Sequence, residues 1–292
     1  KTALLPPNRK RSLSARDIHH SAINILQLRR ISLLMDALAP LLGKTLVLIA
    51  HPDDEAVGCG ALLQRMKEPV VVFATDGAPH DPYFWEKAGS RAAYAELRRR
   101  EAQAALSLAG VCHIEFLQSG DSFFTDQELF RRLGAAVESL SALVRRCRPQ
   151  ALLTLAYEGG HPDHDSCSFL ASLLAPSFSL PVWEMPLYFR KADGAALCQQ
   201  FRSLNGTEVA LEPTPQEQKT KHKMLAAYAS QGEVLKQFSA ASEWFRPQAA
   251  YDYSQPPHSG VLNYEAWGWP IKGAEVSAAF TNFRQPVPAA SS

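Results

Sequence analysis

Two short stretches carry side chains suited to catalysis. The first is His51-Pro52-Asp53-Asp54-Glu55, and the second is His161-Pro162-Asp163-His164-Asp165. Imidazoles and carboxylates together suit a divalent cation. Zinc enzymes commonly use three such ligands and leave a fourth position for water. The histidines are not spaced as His-Glu-x-x-His on one helix, so a zincin-type protease is not indicated. Each residue also has a plainer reading. A lone histidine can sit at a core edge, and a lone aspartate can cap the next helix. Pro52 restricts the backbone and stiffens the turn that holds the first cluster.

The two clusters can meet only if the elements before them are neighbours. Thr45–Ala50 (TLVLIA) leads into the first and Leu152–Ala156 into the second. Both are continuous apolar runs, as expected of strands buried on both faces. Val70–Thr75 reads the same way, and His113–Leu117 and Val182–Phe189 read as further strands. Helical patterns lie between them at 56–66, 91–109 and 127–147, with another at Thr214–Gln231. This alternation predicts an α/β, Rossmann-like three-layer domain with a mainly parallel sheet. Ligands bind beyond the carboxyl ends of strands in such sheets, so both clusters should share one edge. Residues 239–270 are rich in Trp, Tyr, Pro and Gly and read as an ordered loop region. An amphipathic basic helix is expected over 14–38, within an N-terminal extension 1–43. A main domain should span 44–270, followed by a C-terminal tail 271–292.

Composition excludes several classes. Lys and Arg number 30 against 29 Asp and Glu, a net charge of +1, which argues against bulk nucleic-acid binding. Five scattered cysteines, none in a Cys-x-x-Cys pair, argue against a disulfide framework and for reduced thiols in the cytoplasm. No apolar run reaches the roughly 18 residues of a transmembrane helix. The first eleven residues also lack the apolar stretch of a signal peptide. Gly58-Cys59-Gly60 falls inside a predicted helix and lacks a third glycine, so a non-hydrolytic nucleotide-binding domain is only a distant alternative.

Ala50–Glu55 paired with His161–His164 resembles the double signature of the LmbE-like, or PIG-L, zinc-dependent N-acetylglucosaminyl deacetylases. Thr75-Asp76-Gly77, Arg98-x-x-Glu101, Lys221 through Tyr228-Ala229-Ser230-Gln231, and Gly260 with Tyr264-Glu265-Ala266-Trp267 extend the resemblance over about 44–268. It implies that His51, Asp54 and His164 hold Zn2+, with Fe2+ an alternative. It makes Asp53 the general base and places His161 beside the reacting carbonyl. The implied reaction is hydrolysis of an N-acetyl group on a small N-acetylglucosamine-type sugar or its conjugate. An amidase acting on a thiol-sugar conjugate or an acylated natural product is the alternative.

Around that centre, Arg98 is a candidate substrate contact. Tyr264 and Trp267 belong to an aromatic run that could stack on substrate, and His258 lies in a loop that could approach the metal. Asp163 and Asp165 either orient a histidine or cap the helix that begins there. One departure stands out. Some relatives place a tyrosine two residues before the second cluster, where this chain has Gly159, with Tyr157 two positions earlier.

Overall fold

The computed structural model describes residues 36–284. The helix expected over 14–38 therefore lies outside the described residues up to residue 35. Seven strands build the central sheet: β1 (Thr45–Ile49), β2 (Val70–Phe73), β3 (His113–Phe116), β4 (Ala151–Leu155), β5 (Val182–Met185), β6 (Val209–Leu211) and β7 (Glu243–Pro247). Their order across the sheet is β6-β7-β5-β4-β1-β2-β3. The first five are parallel to one another, with Val47 of β1 opposite Val71 on one side and Leu153 on the other. β7 runs antiparallel to β5 and β6 at the far edge. Every residue of β1, β2 and β4 is buried, which explains their unbroken apolar runs.

The helices are α1 (Asp54–Gly58), α2 (Gly60–Leu63), α3 (Arg91–Leu108), α4 (Leu133–Cys147), α5 (Pro162–Phe178), α6 (Pro215–Ala227), α7 (Gly232–Leu235), α8 (Asn263–Ala266) and α9 (Gly273–Arg284). From β1 the chain moves outward through β2 and β3, then returns to lay β4 on the other side of β1. The strand order reverses there, and a crevice opens beyond the carboxyl ends of β1 and β4. His51 follows β1 and His161 follows β4, so both clusters flank that crevice.

Four expectations change. The helix predicted over 56–66 breaks at Cys59 into α1 and α2. The strand predicted over 182–189 stops at Met185 before Pro186, which has no N–H for the ladder. Tyr188–Arg190 pairs instead with Ala196–Cys198 in a separate ribbon. Residues 239–270, expected to be a loop region, contain β7. Its buried charges Glu243 and Arg246 interrupt the apolar pattern that marks a strand. Residues 273–284, expected within a tail, form α9, where Phe280 is fully buried and stacks on Phe169 of α5. No helix among the described residues is long and apolar enough to cross a membrane.

Candidate metal and catalytic site

Asp54 shapes the turn after β1. Its Oδ2 accepts the backbone N–H groups of Ala50 at 3.1 Å and His51 at 2.8 Å. Its Oδ1 lies 3.3 Å from His164 Nε2. His51 Nδ1 is 3.2 Å from the same His164 nitrogen and 3.6 Å from Asp54 Oδ2. Three donor groups thus converge from two strand ends. A tetrahedral ion with bonds near 2.1 Å separates its ligands by about 3.4 Å, so this cluster fits a divalent cation.

The far side of His51 is held as well. Its Nε2 lies 3.3 Å from Asp163 Oδ2 and 3.3 Å from Asp126 Oδ1. Metal-binding histidines usually give their outer nitrogen to such a carboxylate. Asp163 is itself fixed by the N–H groups of Gln127 at 2.6 Å and Leu129 at 3.0 Å. Asp165 does a different job, accepting the N–H groups of Glu158 and Gly159.

Asp53 sits beside the triad of donors but outside it. Its φ of 123° is rare for a side-chain-bearing residue and costs about 1–3 kcal/mol. Three contacts hold it there. Its N–H donates to Glu55 Oε2 at 3.1 Å, and Glu55 is pinned in turn by the Tyr228 hydroxyl. Arg98 donates to the Pro52 carbonyl and, at 3.2 Å, to Asp53 Oδ2. Gly77 backs the turn at φ 63°, where a Cβ would come within 2.8 Å of Pro52 Cδ. The strained backbone aims the Asp53 carboxylate into the crevice.

Electrostatics separates the two neighbouring aspartates. Burial raises the Asp53 carboxyl to about 6, against the opposing charges of Arg98 and His51. Burial acts the same way on Asp54, but His164 and His51 outweigh it and bring that carboxyl down to about 2. Burial depresses the His51 imidazolium, yet Asp126, Asp163 and Asp54 together hold it well above its ordinary value. His161 is lowered by burial and by the nearby His51 charge.

His161 also caps α5. Its Nδ1 accepts the Asp163 N–H at 3.1 Å. That bond assigns the remaining proton of the neutral ring to Nε2, which lies 3.3 Å from Asp126 Oδ1. His161 therefore presents an N–H donor to the crevice.

A cleft of about 690 Å³ opens over these groups, lined by His51, Asp53, Asp54, Arg98, Asp126 and His161 at its base and by Tyr188 and Trp267 further out. Two sequence candidates lie elsewhere. Tyr264 is fully buried beneath α9, and His258 lines a separate pocket of about 340 Å³ with Pro256, Leu262 and Glu265. His258 follows the loop, which turns away from the crevice. Tyr264 packs inward because its helix is seated by Glu265, whose carboxylate accepts the N–H groups of Leu262 and Gly273.

Tyr157 does not reach the cleft either, since its hydroxyl donates to the Gln255 carbonyl at 2.7 Å. Tyr188 does reach it, with its ring 5.2 Å from that of His164. Gly160 permits that approach, because a Cβ there would strike the Tyr188 carbonyl and ring. Two cleft residues, Asp126 and Tyr188, escaped the sequence reading. Asp126 lies in a loop with no histidine beside it and Tyr188 lies in an apolar run, so neither carries a spacing signal.

Fold and cluster together define the class, an open α/β domain with a His/Asp cluster at its switch point that could hold a cation. Residues 46–175 match the family model described as PIG-L: GlcNAc-PI de-N-acetylase. The chain is 32% identical over 144 residues to 1D-myo-inositol 2-acetamido-2-deoxy-alpha-D-glucopyranoside deacetylase 2 of Catenulispora acidiphila, covering 41% of this chain and 47% of that protein. It is 29% identical over 136 residues to 2'-N-acetylparomamine deacetylase of Streptomyces fradiae, covering 42% and 48%. The chain thus spans about half the length of the curated relatives it matches. Among solved structures, the A40926 pseudoaglycone deacetylase superimposes with a TM-score of 0.54 at 21% identity, over 71% of this chain and 99% of that one. The likeness is one of fold.

Proposed function

We propose that this protein is a metal-dependent hydrolase that removes an N-acetyl group from an N-acetylglucosamine-type sugar or glycoconjugate. One observation carries the reading. His51 Nδ1, Asp54 and His164 Nε2 form a cation-sized cluster, and a separate carboxylate, Asp53, is strained into place beside it. The deacetylases among the relatives support the same reading.

His51, Asp54 and His164 would hold the ion, and we take it to be zinc, as the mixed imidazole and carboxylate donors suggest. When bound, such an ion acidifies a water and polarises an amide carbonyl. Asp53 accepts a proton from the attacking water, and Arg98 keeps its carboxylate aimed at that position. The N–H on His161 Nε2 stabilises the negative charge that develops on the carbonyl oxygen. Asp53 then returns its proton to the departing amine, giving acetate and the free amino sugar. Arg98 Nε and Nη1 are buried and have no protein partner among the described residues. In this reading Arg98 acts on the substrate through the Asp53 carboxylate that it orients. Five cysteines, none in a disulfide, support a reducing, cytoplasmic setting.

The test is Asp53→Ala. The variant should retain one equivalent of metal and lose at least about a hundredfold in acetate release, the scale of general acid–base catalysis. A fully active variant would remove the basis of the mechanism.

A further inference from the structure

The cleft has two unlike ends. Its base is polar and holds the residues just described. Its outer wall is a continuous arc of six aromatic rings running from Tyr83 to Phe238. Tyr83 and Phe84 meet edge to face at 5.4 Å, and Phe84 lies 6.4 Å from Trp269. Trp269 and Trp267 are 5.1 Å apart, Trp267 and Tyr188 6.1 Å, and Tyr188 and Phe238 6.1 Å. The arc touches the reaction centre at two points. Trp269 lies 5.1 Å from His161, and Tyr188 lies 5.2 Å from His164.

The rings come from four segments far apart in the chain, so no single local packing need explains them. Two stay open to solvent, Tyr83 at 83% exposed and Trp267 at 50%, and the other four are half-buried. Clustered exposed apolar side chains around a concave site mark a surface meant to be covered.

Charge narrows the occupant. Among the described residues lining the cleft, Arg98 is the one permanent cation, and it sits at the base against Asp53. Among the described residues, none lining the mouth is a lysine or arginine that could pair with a phosphate. It carries an acid instead, Asp81, which caps the turn leading to Tyr83 and Phe84.

We propose that the outer cleft is an aglycone subsite for an uncharged aromatic group carried by the amino sugar, and that phosphorylated aglycones are disfavoured. The proposal rests on the reading of the base as an N-acetyl-sugar hydrolase. Planar rings in the substrate stack on, or meet edge to face, the rings already lining the wall.

The experiment uses the full chain loaded with zinc. Acetate release is compared for N-acetylglucosamine, its benzyl and octyl glycosides and its 1-phosphate. Binding of glucosamine and benzyl glucosaminide is measured in parallel by calorimetry, which needs no turnover. The benzyl compounds should exceed the unsubstituted sugars about tenfold in kcat/KM and in affinity. The octyl glycoside should gain less, and the 1-phosphate should gain nothing. Trp267→Ser and Tyr83→Ser should each shrink the benzyl-to-unsubstituted ratio severalfold.

Equal handling of benzyl and unsubstituted sugars would overturn the subsite. So would an octyl gain that matches the benzyl gain, an advantage for the phosphate, or a ratio that survives both substitutions. Acetate release without a benzyl advantage leaves the activity standing and sinks the subsite. A benzyl advantage in binding with no acetate from any compound supports the subsite and sinks the activity.

Discussion

Replacing Lys221 with methionine tests how the His51–Glu55 turn is braced from behind. Lys221 of α6 is fully buried, and its Nζ donates to Glu243 Oε1 at 2.7 Å and to the Val57 carbonyl at 2.9 Å. Glu243, 2% exposed in β7, also accepts the N–H groups of Ala61 at 2.7 Å and Leu62 at 2.9 Å. The pair therefore bridges the break between α1 and α2, immediately behind the His51–Glu55 turn. Methionine fills a similar volume but leaves the Glu243 carboxylate buried without its cation. Breaking one side of a buried pair costs about 3–5 kcal/mol. At about 2–4 °C per kcal/mol for a domain of this size, the melting temperature should fall by about 6–20 °C.

Urea unfolding followed by circular dichroism gives the free energy, and a thermal scan gives the melting temperature. Adding Glu243→Gln to the variant should recover at least about 1 kcal/mol, because the unpaired charge is gone while one acceptor remains. The exposed Lys236–Glu233 pair, 2.6 Å apart, supplies the contrast, and Lys236→Met should leave unfolding unchanged. A Lys221→Met loss below about 1 kcal/mol would refute the argument, since it would mean that the buried carboxylate does not need its partner.

Asp163→Asn should weaken metal binding about 10- to 100-fold, the usual effect of losing a carboxylate behind a metal-binding histidine, and competition against a chelator measures it. The pH profile of kcat/KM should have an acid limb no higher than about 6. Asp53 works as a carboxylate, so activity falls as pH drops through its pKa, and a cation beside it can only move that limb lower. A limb centred above pH 7 would rule out Asp53 as the base.

Much of this protein is legible one residue at a time. The buried runs before His51 and His161 announce two parallel strands, because strands covered on both faces lose the polar alternation. Given parallel strands, clusters at their carboxyl ends must share an edge, and His51, Asp54 and His164 do converge there. The antiparallel strand β7 was illegible for the opposite reason. Its charges are buried in pairs, Glu243 with Lys221 and Arg246 with Glu184 at 2.7 Å, and the partners lie in other elements.

The rest depends on contacts that no local pattern encodes. Asp126 gains its place only because a loop following the ribbon strand Ser122–Phe123 folds back over His51 and His161. Tyr264 and His258 sit in the right stretch of chain for the cleft, but neither lines it; the first is buried under α9 and the second lines a neighbouring pocket. The aromatic wall likewise joins rings from four separate segments. Which atoms can bond to metal is a property of residue type and strand order. Which loops and rings enclose that cluster is decided by long-range packing, where each side chain goes wherever its neighbours leave room.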